Sequence, residues 1–320
     1  MKTVSVLIPC HNEEQNITLL YQALKDVTAK ETDYQWEFLF VDDGSTDHTL
    51  QHIKELRSAD QRVNYISLSR NFGKENALLA GLDNVGGHCT VIIDADLQHP
   101  PTLISDMLQL WEQGYDDVYA ERTSRGRESW LRRRFTMTYY WLLQKMTRID
   151  ILPNVGDFRL LDLKCIESLR QLRETQRYTK GLYCWIGYKK KKITFCQGDR
   201  NQGKSSFSYR RLFNLAIEGI TSYTTAPLRI STVAGLVISL AAFLYMCFIL
   251  VKTLIYGDPV QGYPTLITVI LFLGGIQLVS LGIIGEYFGR IFHETKNRPA
   301  YLVAEQQITQ VPRDESDDIC

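Results

Sequence analysis

Charge is scarce in one part of this chain. Between Ile230 and Gly285 only Lys252 and Asp258 are charged, although the 320 residues include 36 basic and 36 acidic ones. That balance leaves no basic excess, which argues against a nucleic-acid partner. An apolar fraction of 45% excludes wholesale disorder, because it can supply a core. The seven cysteines, at 10, 89, 165, 184, 196, 247 and 320, are odd in number, lack C-x-x-C spacing and have no histidine cluster beside them. Neither a disulfide framework nor a zinc site is supported, and reduced thiols in a cytoplasmic compartment are the simpler reading. A secretory leader is not expected. Val4–Ile8 is apolar but short, and Pro9 and Glu13-Glu14 come directly after it, so the run reads as a buried first strand.

A glycine fingerprint for a dinucleotide is absent too. After the first strand the chain reads Pro9-Cys10-His11-Asn12-Glu13-Glu14, which cannot make the tight turn that G-x-G-x-x-G makes around a pyrophosphate. One phosphate-loop pattern does occur, at Gly198-Asp199-Arg200-Asn201-Gln202-Gly203-Lys204-Ser205. A P-loop site needs parallel strands beside it, one bearing a magnesium-binding aspartate. The chain downstream of Ser205 is mostly apolar span, so that reading is set aside.

The first 120 residues alternate short apolar runs with helical patterns. Val4–Ile8, Glu37–Val41, Val63–Leu68, Thr90–Ile93 and Val118–Ala120 are predicted strands, and Glu14–Ala29, Thr46–Arg57, Glu75–Asn84 and Pro101–Glu112 predicted helices. Such alternation predicts an α/β domain with a Rossmann-like, mostly parallel sheet, which binds ligands beyond the carboxyl ends of its strands. Polar residues gather at those ends: 9–13, 42–47, 70–74 and 94–98. Among them, Asp94 and Asp96 are suited to share one divalent cation and, through it, a diphosphate; a turn or helix-capping role before Pro100-Pro101 is the alternative. At 42–47, Gly44 permits a tight turn, and Ser45 or Thr46 can cap the next helix.

Further on, Leu131, Phe135, Tyr139, Leu142 and Met146 form one helical stripe behind Arg132-Arg133-Arg134, and Phe213, Ile217 and Ile220 form another behind Arg210-Arg211. They are either core-packing or interfacial helices; the aromatics and arginines favour the headgroup region. Val233–Val251 and Leu266–Ile284 then run nineteen residues each, and only Lys252 and Asp258 interrupt the uncharged region around them. Each spans about 28 Å as helix, close to a hydrocarbon core of roughly 30 Å. The short polar Tyr256–Pro264 link makes them a hairpin, and Gly274, Gly275, Gly282, Gly285 and Gly289 are expected to offer a face for close helix contact. The expected organisation is a cytoplasmic catalytic domain with interfacial helices over 1–228, a transmembrane hairpin over 229–289 (spans about 230–255 and 264–285), and a cytoplasmic tail over 290–320.

Taken together, Val6-Leu7-Ile8-Pro9-Cys10-His11-Asn12-Glu13-Glu14, Val41-Asp42-Asp43-Gly44-Ser45-Thr46-Asp47, Arg70-Asn71-Phe72-Gly73-Lys74, Asp94-Ala95-Asp96-Leu97-Gln98-His99-Pro100-Pro101, Gly156-Asp157-Phe158-Arg159-Leu160-Leu161 and the 200–207 stretch carry a resemblance. The chain resembles the family 2 glycosyltransferases of GT-A fold, in particular the polyprenyl-phosphate sugar synthases and, among those, the two-span bactoprenol glucosyltransferases. The resemblance implies an inverting hexosyltransferase that moves a hexose, glucose first, from a UDP-sugar to polyprenyl (undecaprenyl) phosphate for modification of a cell-envelope glycan. It implies that Pro9, Asn12, Glu14 and Asp43 hold the nucleoside, that Asp94 and Asp96 hold Mg²⁺ or Mn²⁺ with the donor diphosphate, and that Arg122, Arg133, Arg134 and Arg200 meet the acceptor phosphate. Asp157 falls at the family's candidate base, which with Asp96 makes the expected catalytic pair. Around Arg200 the family shape is R-x-x-G-x-S-K; here Ser206 stands at the lysine position and Lys204 lies two residues earlier. The implied setting is a multi-pass inner-membrane protein with both termini cytoplasmic, with room for a homo-oligomer and a downstream flippase as partners. Two other readings stay open: a processive polysaccharide synthase, and a non-catalytic sugar-nucleotide-binding partner of a flippase.

Overall fold

The computed structural model describes residues 1–122, 155–175, 177–195, 226–256 and 262–309. Strands β1 (Lys2–Cys10), β2 (Tyr34–Asp42), β3 (Val63–Leu68), β4 (Cys89–Ile92) and β5 (Asp117–Arg122) alternate with helices α1 (Ile17–Thr28), α2 (Thr49–Ala59), α3 (Lys74–Asn84) and α4 (Leu103–Glu112). After them come β6 (Val155–Asp162), α5 (Leu163–Gln171), α6 (Thr179–Trp185), β7 (Lys190–Phe195), two long helices α7 (Ala226–Tyr256) and α8 (Tyr263–Thr295), and β8 (Val303–Gln307).

The eight strands form one sheet in the order β7-β5-β6-β4-β1-β2-β3-β8. The β1–β2, β2–β3, β1–β4 and β5–β7 pairs are parallel, and β4–β6, β5–β6 and β3–β8 are antiparallel. The chain steps outward from β1 to β3 and then returns to lay β4 on the other side of β1. That reversal is a topological switch point, where a crevice opens beyond the strand ends. The parallel half followed by antiparallel strands is the arrangement expected of a GT-A domain.

Alternation along β1 sets the two faces of the core. Val4, Val6 and Ile8 pack with Leu20 and Leu24 of α1 and Ile104 and Met107 of α4. Leu7 points the other way, among Leu78 of α3, Ile166 of α5 and Leu182 of α6. Both sides of the central strands are covered, which is why their sequences read as continuous apolar runs. The buried Glu37 on β2 is fully occupied: Ser5 Oγ donates to it at 2.7 Å and Asn64 Nδ2 at 2.9 Å. On the other half of the sheet, Arg159 of β6 and Asp117 of β5 make a buried ion pair at 3.1 Å, with the guanidinium over the Tyr183 ring. Burial pushes the Asp117 carboxyl above its ordinary range, although Arg159 and then Lys190 pull against that.

Within the 290–320 segment, residues 303–307 pair antiparallel with β3, and Ser69 N donates to Leu302 O at 2.9 Å. Thr309 N donates to Asn64 Oδ1 at 3.0 Å and Tyr301 Oη to Asp83 at 2.8 Å, so the stretch is tied down along its length. The strand covers an edge that β3 would otherwise leave open.

The chain divides into two compact units, residues 298–309 belonging with the sheet and 226–297 holding the long helices. In the helical unit, Ser231 Oγ of α7 donates to Ser280 Oγ of α8 at 2.9 Å. Among the described residues, a Cβ built at Gly274, Gly275, Gly282, Gly285 or Gly289 meets nothing within 4 Å. The helices contain both expected spans, and α8 continues past 285 to Thr295. Among the described residues, Phe272–Thr295 is long and apolar enough to cross a membrane, and Ser231–Tyr245 is a shorter apolar stretch. The amphipathic stripes over 131–146 and 213–220 lie outside the described residues.

Candidate active site

A cavity of about 340 Å³ opens at the carboxyl ends of the central strands. Pro9, Cys10, His11 and Glu13 line it after β1, Asp43 after β2, Asn71, Gly73 and Lys74 after β3, and Asp94, Ala95 and Asp96 after β4.

The loops that shape it hold one another. Asp43 accepts from Phe72 N at 2.7 Å through Oδ1 and from Gly73 N at 2.9 Å through Oδ2, so both its oxygens fix the loop after β3. His11 Nδ1 donates to Asp43 O at 2.9 Å, because a carbonyl can only accept, which leaves Nε2 to accept from Asn71 Nδ2 at 3.0 Å. Gly44 is the one residue this crossing allows. Its φ is +62°, and an added Cβ would fall 2.4 Å from the Arg70 carbonyl carbon. Asn12 is also left-handed, with φ of 56°. Its side chain accepts from Thr46 N at 2.8 Å, and its own N–H donates to Ser45 Oγ at 2.9 Å. Glu14 accepts from His48 N at 3.1 Å. Leu97, with φ of 57°, turns the chain just after Asp96, a strained conformation for a bulky residue of the kind that gathers at functional sites.

The acidic pair sits opposite a third carboxylate. β4 and β6 run antiparallel with Ile92 level with Arg159. Carrying that register on by two residues brings Asp94 level with Asp157. Lys74, the first residue of α3, stands between them, its Nζ 2.6 Å from Asp94 Oδ1 and 2.6 Å from Asp157 Oδ2. Burial works against the Lys74 ammonium, but Asp157 and then Asp94 hold it well above the ordinary lysine range. For Asp157, burial raises the carboxyl and the Lys74 charge, assisted by Lys180, more than offsets it, so the group lies below its usual value. Glu13 is pushed up, first by burial and then by the charges of Asp96, Asp47 and Asp94, against a bond from Asn16. Cys10 is buried, and burial followed by Asp42 pushes its thiol far up, so it is no nucleophile.

Of the residues the sequence singled out, Pro9, Asp43, Asp94 and Asp96 meet at the cavity, and Asp157 reaches it through Lys74. Asn12 and Glu14 do not line it; they brace the 45–48 loop. Arg122 ends β5, and its side chain, like Arg133, Arg134 and Arg200, lies outside the described residues. Sequence reasoning gave no role to His11, Glu13, Asn71 or Lys74. The signal was present in the polar run Arg70-Asn71-Phe72-Gly73-Lys74 at a strand end, but a lysine's partners across the sheet cannot be read from its neighbours.

Oxygen donors suit a hard cation, and the acidic field felt by Glu13 favours one. Among the described residues no three or more His, Cys, Asp or Glu side chains form a metal cage. A cation at Asp94 and Asp96 would therefore complete its shell from substrate phosphates and water, as Mg²⁺ commonly does. The donor set fits on those terms.

The chain is similar to known proteins over nearly its full length. CsbB of Bacillus subtilis (strain 168) is 44% identical over 95% of this chain and 92% of its own length. The SfII prophage-derived bactoprenol glucosyl transferase of Shigella flexneri is 40% identical over 94% of this chain and 97% of its own. The glucosyl-3-phosphoglycerate synthase of Mycobacterium tuberculosis, solved with Mn²⁺ and UDP, is 19% identical with a TM-score of 0.47, over 68% of this chain and 75% of that one. Residues 226–291 match the GtrB C-terminal hairpin. With residues 5–170 matching the glycosyl transferase family 2 model, the chain belongs to that family and is a glycosyltransferase.

Proposed function

We propose that the protein transfers glucose from UDP-glucose to a polyprenyl phosphate, of the undecaprenyl kind, at the cytoplasmic face of a membrane. The observation that carries the reading is near full-length likeness to bactoprenol glucosyl transferases, in a chain whose acidic pair opens on a cavity at the switch point. The polyprenyl lipid and the sugar nucleotide meet only at a membrane surface. This accounts for a family 2 domain joined to two long apolar helices in one chain.

Each residue of the site then has a role. Pro9 and Asp43 border the nucleoside, while Asn12 and Glu14 hold the loop that frames it. Asp94 and Asp96 carry Mg²⁺ or Mn²⁺, which when bound neutralises the donor diphosphate as it leaves. Arg122, Arg133, Arg134 and Arg200 receive the acceptor phosphate. A phosphate monoester has a second pKa of about 6, so the acceptor oxygen is already largely anionic at neutral pH. Removing its proton is not the hard step. An Asp157 held ionised by Lys74 suits that chemistry better as an orienting charge than as a base. Rate then comes from bringing two anions together in line and stabilising the leaving group, with inversion at the anomeric carbon.

The segment after α8 pairs with β3 of the sheet that precedes α7, which supports an even number of crossings. Arg210, Arg211 and Arg229 precede the first span and Arg290, Lys296 and Arg298 lie beyond the second, whereas 256–264 holds no Lys or Arg. The positive-inside rule puts both termini in the cytoplasm. The product, a sugar on a lipid phosphate, would then pass to a flippase.

The test is an assay with radiolabelled UDP-glucose and polyprenyl phosphate, ending in solvent extraction. Label in a short lipid-phosphate product, lost with EDTA, is the expected result. Label in polymer would indicate a processive synthase, and label in neither a binding partner without catalysis; either would overturn the reading.

A further inference from the structure

We infer that Lys74 is the resident counter-ion of the acidic pair, displaced from Asp94 by the divalent cation as the nucleotide sugar binds, so that cation and nucleotide load together. The inference deepens the proposed reading and rests on its cation site.

Two carboxylates close enough to meet one ammonium repel, and that ammonium relieves both. Its two contacts are unequal. Toward Asp157 the ammonium makes an aligned hydrogen bond of 2.6 Å, to a side chain that is 9% exposed. Toward Asp94, at the same distance, the contact is an ion pair without hydrogen-bond alignment, and Asp94 is 22% exposed and lines the cavity. Lys74 is therefore anchored on Asp157 and exchangeable at Asp94.

A cation held by Asp94 and Asp96 would share the Asp94 carboxylate with an ammonium 2.6 Å from its Oδ1, and two positive charges so close repel, which pushes Lys74 off Asp94. The displaced ammonium remains tethered to Asp157 at the cavity wall, with its freed N–H groups beside the space a diphosphate would fill. Lys74 thus disfavours a cation arriving alone and favours one arriving with a diphosphate. A lysine kept only for structure would do neither.

The experiment uses the full-length protein in detergent, with Lys74→Met, Lys74→Gln and Lys74→Arg beside wild type. Mn²⁺ binding without nucleotide is tracked by the loss of the free-ion EPR signal, and UDP-glucose binding at saturating Mn²⁺ by calorimetry. The two neutral variants are expected to bind Mn²⁺ alone more tightly, by about tenfold or more for one unit charge removed within a few ångströms, yet to bind UDP-glucose more weakly. Lys74→Arg should restore wild-type behaviour in both. Shifts in the same direction, unchanged Mn²⁺ affinity, or failure of both neutral variants to fold would make the residue structural and overturn the inference, as would a wild type that binds no Mn²⁺ even with UDP-glucose present. A wild type that shows the opposed shifts but transfers no glucose to lipid would instead overturn the proposed function and leave the role of Lys74 standing.

Discussion

Asp96 is the residue on which the donor chemistry turns. It lines the cavity, takes a hydrogen bond of 3.1 Å from Gln98 N, and precedes the left-handed Leu97 that bends the chain away. Asp96→Ala should lower turnover by about 10²-fold or more, the scale of losing one electrostatic stabiliser, and should abolish metal-dependent binding of UDP-glucose. Unimpaired turnover of that variant in EDTA would remove Asp96 from the site. Asp157 makes a different prediction, because it flanks the cavity as an orienting charge and does not line it. Asp157→Asn should cut kcat by about 10²-fold while the KM for UDP-glucose changes only a few-fold. Near-normal kcat would mean that Asp157 serves the fold alone. Both aspartates sit in motifs legible in the sequence. Their separation into a cavity residue and a flank residue was not legible, because it depends on which strand lies beside which.

Elements are held at their ends by polar clusters, and one of these supplies a pH test. Asp60 closes α2 and leads into β3. It accepts from Tyr21 Oη of α1 at 2.6 Å and from Arg62 Nη2 at 2.7 Å. Burial pushes its carboxyl up, but Arg62 and then Tyr21 outweigh burial and hold it at about 2. A folded value below the unfolded one, about 3.9, means that the group stabilises the fold above that pH and loses its contribution as pH falls toward 2. Thermal melts of wild type and Asp60→Asn should therefore differ by roughly 2–4 °C at pH 7, with the gap narrowing below about pH 4 and closing as pH falls through about 2. A constant gap across that range would show that the bond to Tyr21, and not the charge, does the holding. Element identity over residues 1–120 tracks the local pattern closely. The Val63–Leu68 strand has its expected bounds, and α3 starts one residue before its expected Glu75. β1 and β2 run longer than their apolar runs because pairing partners, not side-chain type, decide where a strand stops.

At the scale of the molecule, the return of β8 to the sheet gives a topology that labelling can check. In a background without the native cysteines, a cysteine placed at Gln261 should react with an impermeant thiol reagent added to intact cells, and one at Gln306 only after permeabilisation. The opposite pattern would reverse the chain in the membrane and part the active site from its donor pool. β8 also begins next to the loop that lines the cavity, since Leu302 O receives Ser69 N one residue before Arg70. The edge strand thus braces the segment that presents Asn71, Gly73 and Lys74.

Local patterns sufficed for much of this protein. The alternation of apolar runs and helical periods specified an α/β sheet, the polar runs at strand ends marked the cavity, and the uncharged stretches marked the hairpin. Each of these is written in residues close together in sequence, where periodicity and composition act directly. Tertiary structure alone decided the rest: that 303–307 is a strand against β3, that Asn12 and Glu14 turn to the neighbouring loop, and that Lys74 bridges Asp94 and Asp157. Those are pairings between residues tens to hundreds of positions apart. They are set by which surfaces bury together and which charges must then be neutralised, and neither is encoded in any single stretch of the chain.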